Sequence, residues 1–325
     1  LVPGIGFSLF PLADSRIVMI QIELPEGAST GKTNKVLEAV EEEVNKYPEV
    51  ENVMTNLGRG NPRVYYNVNQ RELASNIADV FVLLNDYDPD RTPKLLDEWR
   101  ATFDAFPGSK ILVKSMENGP PLDAPIAIRV RGPEVQGVRD IAAQLEDLIR
   151  KVPGTRDVNN PSHATRTDLK IQVDQAKAAL LGIAPGTVDR VVRLAVAGES
   201  VGDFLDSDGE AYPITLRLPL VAHHAPDILD EIYIPTPGGA AVPLAQIAGL
   251  RFDASPARID RYARMRSATV TAYAKSGYLT SKVTAEIMKQ AQALDLPPGY
   301  EIEAGGQSEA SADSFSGMGS AALVA

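Results

Sequence analysis

Four times in this sequence a helical segment ends in an apolar or aromatic residue, then proline, then a strand. The four junctions are Tyr47-Pro48-Glu49-Val50, Phe106-Pro107-Gly108-Ser109, Val152-Pro153-Gly154-Thr155 and Leu296-Pro297-Pro298-Gly299. Proline stops a helix because it has no amide hydrogen to donate and its ring clashes with the preceding turn. A repeated helix–proline–strand unit restricts the chain to alternating α and β elements and points to an internal duplication.

The first two junctions fall in one βαββαβ unit. Strands are expected at 17–24, 50–56, 78–84 and 110–114. A helix from Ser29/Thr30 places Val36, Leu37, Val40 and Val44 on one face, the spacing of an amphipathic helix. A second helix, expected to be capped by Thr92 with Pro93 in its first turn, buries Leu95, Leu96, Trp99 and Phe103. The last two junctions fall in a split copy. Its first half runs from strand 126–130 through a helix carrying Val138, Ile141, Leu145, Leu148 and Ile149 to strand 155–159. Its second half is strand 268–273, a helix with Val283, Ile287, Ala291 and Leu294, and strand 300–302. About a hundred residues, 166–266, lie between the halves. Such an insertion costs only loop-closure entropy, which grows slowly with length. The expected fold is α+β: two ferredoxin-like βαββαβ sandwiches, the second interrupted by a further α+β subdomain.

That insert has its own punctuation. A strand with alternating apolar residues, 169–174, leads to a short helix that Gly182 stops; Pro185 starts the next helix, which Gly198 ends. An extended Ser200–Phe204 leads into a hairpin, and strands follow at 212–218, 231–234 and 250–253.

Composition removes several function classes. Net charge is -11 and no long basic run exists, so nothing marks a nucleic-acid binder. The absence of cysteine excludes thiolate metal sites, disulfides and a cysteine nucleophile. There is no P-loop, G-x-S-x-G or H-E-x-x-H, and no carboxylate cluster at metal spacing, so no catalytic residue, resident metal or cofactor is expected. Glu41-Glu42-Glu43 reads as a solvated helix face and Asp86-Asp88-Asp90 as a turn. His163 and the pair His223-His224 read as solvated loop histidines. No run of 18 apolar residues is present, but residues 1–13 and 307–325 read as stubs of membrane helices.

Several motifs, in order, resemble the resistance-nodulation-division (RND) efflux transporters of the AcrB/AcrD/AcrF type. They are Leu24-Pro25-Glu26-Gly27-Ala28-Ser29; Asp174-Gln175-Ala176-Lys177-Ala178; Leu181-Gly182-Ile183-Ala184-Pro185; Ala197 to Phe204; Val242 to Ala248; Ser255 to Tyr262; and Gly305-Gly306-Gln307-Ser308-Glu309. The order matches that family's second periplasmic loop. The resemblance implies two porter subdomains, 14–120 and 121–165 with 267–306, and a docking subdomain at 166–266. It further implies a location at the periplasmic face of the bacterial inner membrane and a homotrimer in the full-length pump. Its partners would be the other periplasmic loop and membrane helices of the same pump, a periplasmic adaptor and an outer-membrane channel. The family's proton-carrying residues lie in membrane helices outside this sequence.

The resemblance also implies a substrate pocket whose lip is a Gly-rich loop, here 57–76, with Gly58, Gly60 and Pro62 as its switch. It implies pocket positions at Met54, Leu57, Arg59, Tyr65, Tyr66 and Phe81, and small amphiphilic substrates of a multidrug pump. Arg59 departs from the family's aromatic, and Tyr65 or Tyr66 is the expected replacement. Phe81 on an apolar strand also reads as plain core. Two alternatives stand beside this reading. One is metal export, which uses methionines for soft cations; this chain has Met19, Met54, Met116, Met265, Met288 and Met318, and Met54 could meet Met116. The other is a soluble binding or assembly module on the same folds.

Overall fold

The computed structural model describes residues 10–219 and 228–314. The chain separates into two compact units, Leu1–Arg166 with Pro256–Ala325, and Thr167–Ser255.

The first unit opens with β1 (Ile17–Glu23), α1 (Thr30–Val44), β2 (Val50–Leu57), β3 (Ile77–Leu84), α2 (Thr92–Phe103) and β4 (Lys110–Ser115). These strands form one antiparallel sheet in the order β2-β3-β1-β4. Alternation decides which side chains face the helices. Val18, Ile20 and Ile22 of β1, Val80, Val82 and Leu84 of β3, and Ile111 and Val113 of β4 pack against Leu37, Val40 and Val44 of α1 and Leu95, Leu96, Trp99 and Phe103 of α2. The Ser29 hydroxyl caps α1 by accepting from the Lys32 N–H. Thr92 does not cap α2. It is the first residue of that helix, and the Asp88 carboxylate accepts from the N–H groups of Asp90 (2.8 Å) and Arg91 (3.0 Å) instead. The carboxylate thus fixes the turn that leads into α2, whose first helical amides receive no side-chain cap. The Thr92 hydroxyl accepts from the Asp88 N–H at 3.0 Å.

The same unit continues with β5 (Ile126–Gly132), α3 (Val135–Lys151) and β6 (Thr155–Asn159), then a 3-10 turn, Pro161–His163. The second unit follows: β7 (Thr165–Val173), α4 (Gln175–Leu180), α5 (Pro185–Val196), β8 (Glu199–Leu205), β9 (Ala211–Leu216), α6 (Ile228–Glu231), β10 (Tyr233–Pro235), β11 (Ala241–Pro243), α7 (Leu244–Ile247) and β12 (Ala248–Pro256). Its small core holds Ala178, Ile183, Val188, Ala195, Ile234, Leu244 and Ile247. Asp174 caps α4 through the N–H groups of Ala176 and Lys177, both at 3.1 Å. Gly182 takes φ +69°, the left-handed conformation that ends a helix without a Cβ clash. The expected strand at 231–234 is the end of α6 followed by β10.

The chain then completes the first unit with β13 (Asp260–Tyr262), β14 (Met265–Ala274), α8 (Thr280–Ala291) and β15 (Glu301–Gly306); residues 307–314 are helical. The second sheet runs β13-β14-β5-β15, with β6 also paired to β14, all antiparallel. Its core joins Ile126, Ile128 and Val130 to Val138, Ile141, Leu145 and Ile149 of α3 and to Val283, Ile287 and Ala291 of α8. Here α8 ends at Ala291, before Leu294 and five residues short of Leu296-Pro297. The fourth proline therefore follows a turn, as do the first and second, since α1 ends at Val44 and α2 at Phe103; α3 alone runs up to its Val152-Pro153 junction. Among the described residues no helix is long and apolar enough to cross a membrane.

Candidate functional site: a cleft between the two sheets

Helices cover one face of each sheet. The opposite faces carry the residues that alternation turns away from the cores, and these line a cavity of about 770 Å³. Met19, Gln21 and Glu23 come from β1, and Lys110, Leu112 and Lys114 from β4. Ala127 and Arg129 come from β5, and Thr269, Thr271 and Tyr273 from β14. Residues 116–125, between β4 and β5, add Met116, Glu117 and Asp123.

Two methionines stand out. Met19 is 2% exposed and Met116 is 3% exposed, yet neither belongs to a hydrophobic core; both line the cleft. Register places Met54 of β2, Phe81 of β3, Met19 of β1 and Lys114 of β4 in one row across the sheet. Directly opposed residues of an antiparallel pair point to the same face.

Six basic side chains (Arg71, Lys110, Lys114, Arg129, Arg258, Arg261) and six acidic ones (Glu23, Glu117, Asp123, Asp157, Asp260, Glu309) line the cleft. With these numbers equal, formal charge alone cannot select a ligand. Burial pushes Lys110 and Lys114 below the usual lysine range, opposed by Glu23 at Lys110 and Glu117 at Lys114. Burial also raises the Glu117 carboxyl, against Lys114 and Arg156. Tyr273 is 6% exposed, and its hydroxyl donates to the Asp123 carbonyl at 3.1 Å. Burial raises its phenol as well. Arg156 stands 5.1 Å from the Tyr273 ring centre and Lys114 6.0 Å. The other lining aromatic, Tyr262, is covered by the Arg129 guanidinium 3.6 Å from its ring centre. Asp157 holds a left-handed φ of 51° where the β6–β14 pairing slips by a bulge. A bulge of this kind re-aims a side chain.

The loop 57–76 is tied down at several points. Gly58 turns the chain at φ +74°. Gly60 hydrogen-bonds Arg71 across the loop, its N–H donating to the Arg71 carbonyl at 3.2 Å. A Cβ on Gly60 would lie 2.5 Å from the Arg71 nitrogen and 3.0 Å from the Asp79 carboxylate. Gly60→Ala is therefore expected to cost about 1–3 kcal/mol by overpacking and to expose the loop to trypsin at Arg59 and Arg63; an unchanged digestion pattern would show that the closure is not tight. Asp79, 1% exposed on β3, accepts from the Asn61 N–H (3.0 Å) and from Arg71 Nη1 (2.9 Å). At the tip, the Tyr65 and Tyr66 rings lie 4.9 Å apart. The Tyr65 hydroxyl donates to Asn118 (3.3 Å), and the Tyr66 hydroxyl accepts from the Gly119 N–H (2.7 Å).

The six expected pocket residues thus separate into groups. Met54 and Phe81 are register neighbours on the cleft-side face of their sheet. Tyr65 and Tyr66 fix the loop to the segment after β4, and Leu57 and Arg59 are exposed. None of the six is among the residues lining the cavity, and Pro62 is exposed beside the buried Gly60 and Asn61. The cleft residues outside that set, Met19, Lys110 and Lys114, carry a simple signal. The cleft-side alternates of β1 and β4 are Met19, Gln21, Glu23, Lys110 and Lys114, with Leu112 the one aliphatic side chain among them, whereas Glu117 lies beyond β4 and has no such signal. His223 and His224 lie outside the described residues.

The model of the AcrB/AcrD/AcrF family matches residues 1–325. Protein HelA of Legionella pneumophila is 26% identical over 314 residues, covering 92% of this chain and 29% of HelA. The nickel-cobalt-cadmium resistance protein NccA of Alcaligenes xylosoxydans xylosoxydans is 29% identical over 187 residues, 56% of this chain and 17% of NccA. A crystal structure of a heavy metal efflux pump superposes with TM-score 0.79 at 22% identity, covering 95% of this chain and 33% of that one. The chain therefore spans less than a third of the length of these two curated relatives.

Proposed function

Because this chain belongs to the AcrB/AcrD/AcrF family of RND transporters, we propose that it is the periplasmic part of an efflux pump whose cargo is a soft transition-metal cation. In this reading the two sandwiches are the porter subdomains and 166–266 is the docking subdomain. The pump works as a trimer at the inner membrane with an adaptor and an outer-membrane channel. Cargo passes through the cleft, and energy enters through membrane helices outside this sequence.

The observation that carries the choice of cargo is the pair Met19 and Met116, buried at the cleft and outside both cores. Thioethers favour soft cations, and a lining with balanced formal charge leaves selection to that chemistry. An amphiphilic drug would want free aromatic faces; of the two lining rings Tyr273 is buried, and Tyr262, 40% exposed, has the Arg129 guanidinium over one face. The name of NccA, a nickel-cobalt-cadmium resistance protein, favours metal cargo. The reading therefore moves from the multidrug expectation to its metal alternative.

The test uses the full-length gene in a strain lacking its own exporters. Met19→Ile with Met116→Ile is expected to lower tolerance of copper or silver salts about tenfold, with protein level and trimer unchanged. Unaltered metal tolerance together with lost tolerance of dyes and detergents would return the cleft to amphiphiles.

A further inference from the structure

A second cavity, of about 920 Å³, opens beside the first; Lys110, Leu112, Asp157 and Asn159 line both. Two residues in its wall, Glu146 and Asn160, are less than a tenth exposed (the Glu146 side chain alone 12%) and carry polar atoms with no hydrogen-bond partner. Glu146 of α3 is 9% exposed. Its Oε1 accepts from Arg150 Nη2 at 2.5 Å and Nε at 3.2 Å, while its Oε2 has no donor. Asn160 is 7% exposed. Its Oδ1 accepts from the Ser162 N–H (3.1 Å) and hydroxyl (2.6 Å), while its Nδ2 has no acceptor. A buried polar atom left unpaired costs free energy, so two in one cavity mark a place where something polar binds.

His163, in the turn after β6, supplies the chemistry. Its Nδ1 stands 3.2 Å from Oε2 of Glu146, an ion pair when the imidazole is protonated and a pair of facing lone-pair donors when it is neutral. Its side chain is 52% exposed, so the imidazole is reachable from solvent. Two donors bound to one transition-metal ion at 2.0–2.2 Å, at right-angled to tetrahedral angles, lie roughly 2.9–3.4 Å apart. Arg150 on the other carboxylate oxygen fixes the orientation of Glu146, the part an outer-shell partner plays.

We propose that Glu146 and His163 together bind a borderline divalent transition-metal cation such as Ni²⁺ or Co²⁺. Imidazole with carboxylate suits that class, as thioether suits the softer ions. Among the described residues no group of three or more His, Asp or Glu side chains converges on a metal position. Water therefore completes the shell, with the Asn160 Nδ2 available to donate to it. A site with two protein donors binds weakly and releases readily, which fits a cation in transit rather than a resident one. This role rests on the metal-export reading; the site itself is tested by binding alone.

The experiment uses the 325-residue chain with His223→Ala and His224→Ala, which leaves His163 as the one histidine of the original three. Ni²⁺ is titrated in by calorimetry, and paramagnetic broadening of amide signals locates it. Broadening is expected around residues 146 and 160–163, and His163→Ala and Glu146→Gln should each weaken binding about tenfold or more. His163 is half-exposed, so its variant keeps the fold if Glu146→Gln does not. Ni²⁺ that broadens nothing there, or binds equally well to both variants, overturns the site. Export lost on replacing the methionines while Ni²⁺ still binds at His163 would leave this site standing, and the reverse result would leave the methionine reading standing.

Discussion

Arg71→Ala is expected to destabilise the first sandwich by about 3–5 kcal/mol, the usual cost of leaving one member of a buried ion pair behind. The Asp79 side chain is 2% exposed and would keep one donor, the Asn61 N–H. Arg71 also reaches the Ile22 carbonyl at 3.3 Å and holds Gly60 through its own backbone, so the loop 57–76 should open together with the pair. Urea unfolding and hydrogen exchange at residues 58–74 read the two effects. Asp79→Asn placed on Arg71→Ala should recover much of the loss by removing the unpaired charge. If protection of the loop is unchanged in Arg71→Ala, the ion pair does not latch it. Arg71 also lines the cleft, so a loosened latch should change the cleft wall as well as stability.

Trp99→Ala is expected to cost a similar amount, about 3–5 kcal/mol, for a different reason. Trp99 is fully buried between α2 and the sheet, with Tyr47 at 5.7 Å in an edge-on contact. Removing the indole leaves a cavity that the close-packed surroundings cannot fill. Trp99→Phe should cost clearly less, because the indole N–H has no acceptor to lose. Exchange of the central amides of β1 and β3 measures the change within this sandwich. A loss below about 1 kcal/mol in the alanine variant would mean the site collapses around the gap.

The local parts of this fold were legible because their causes are local. Alternation in Ile17–Glu23 and Lys110–Ser115, and the 3.6-residue spacing of Leu37, Val40 and Val44, are properties of single segments. Ser29, Gly182, Pro185 and Gly198 mark the ends of elements for reasons within one or two residues of themselves. The errors were local as well: Thr92 is the first residue of α2 rather than its cap, and α1, α2 and α8 each end in a turn before their prolines. The expected pocket residues were placed by resemblance, and Tyr65 and Tyr66 show what resemblance could not see. Their partners, Asn118 and Gly119, lie more than fifty residues away.

By itself, then, the sequence determined the α+β class, the identity of most strands and helices, and which face of each would be apolar. Tertiary structure alone decided that Met19 lies beside Lys114, that Asp79 receives Arg71, and that Glu146 of α3 faces His163 across the turn after β6. Side-chain period within a segment follows from backbone geometry, but the partner of a side chain follows from strand register and loop closure. Those depend on the summed packing of the whole sandwich, which no short stretch of residues encodes.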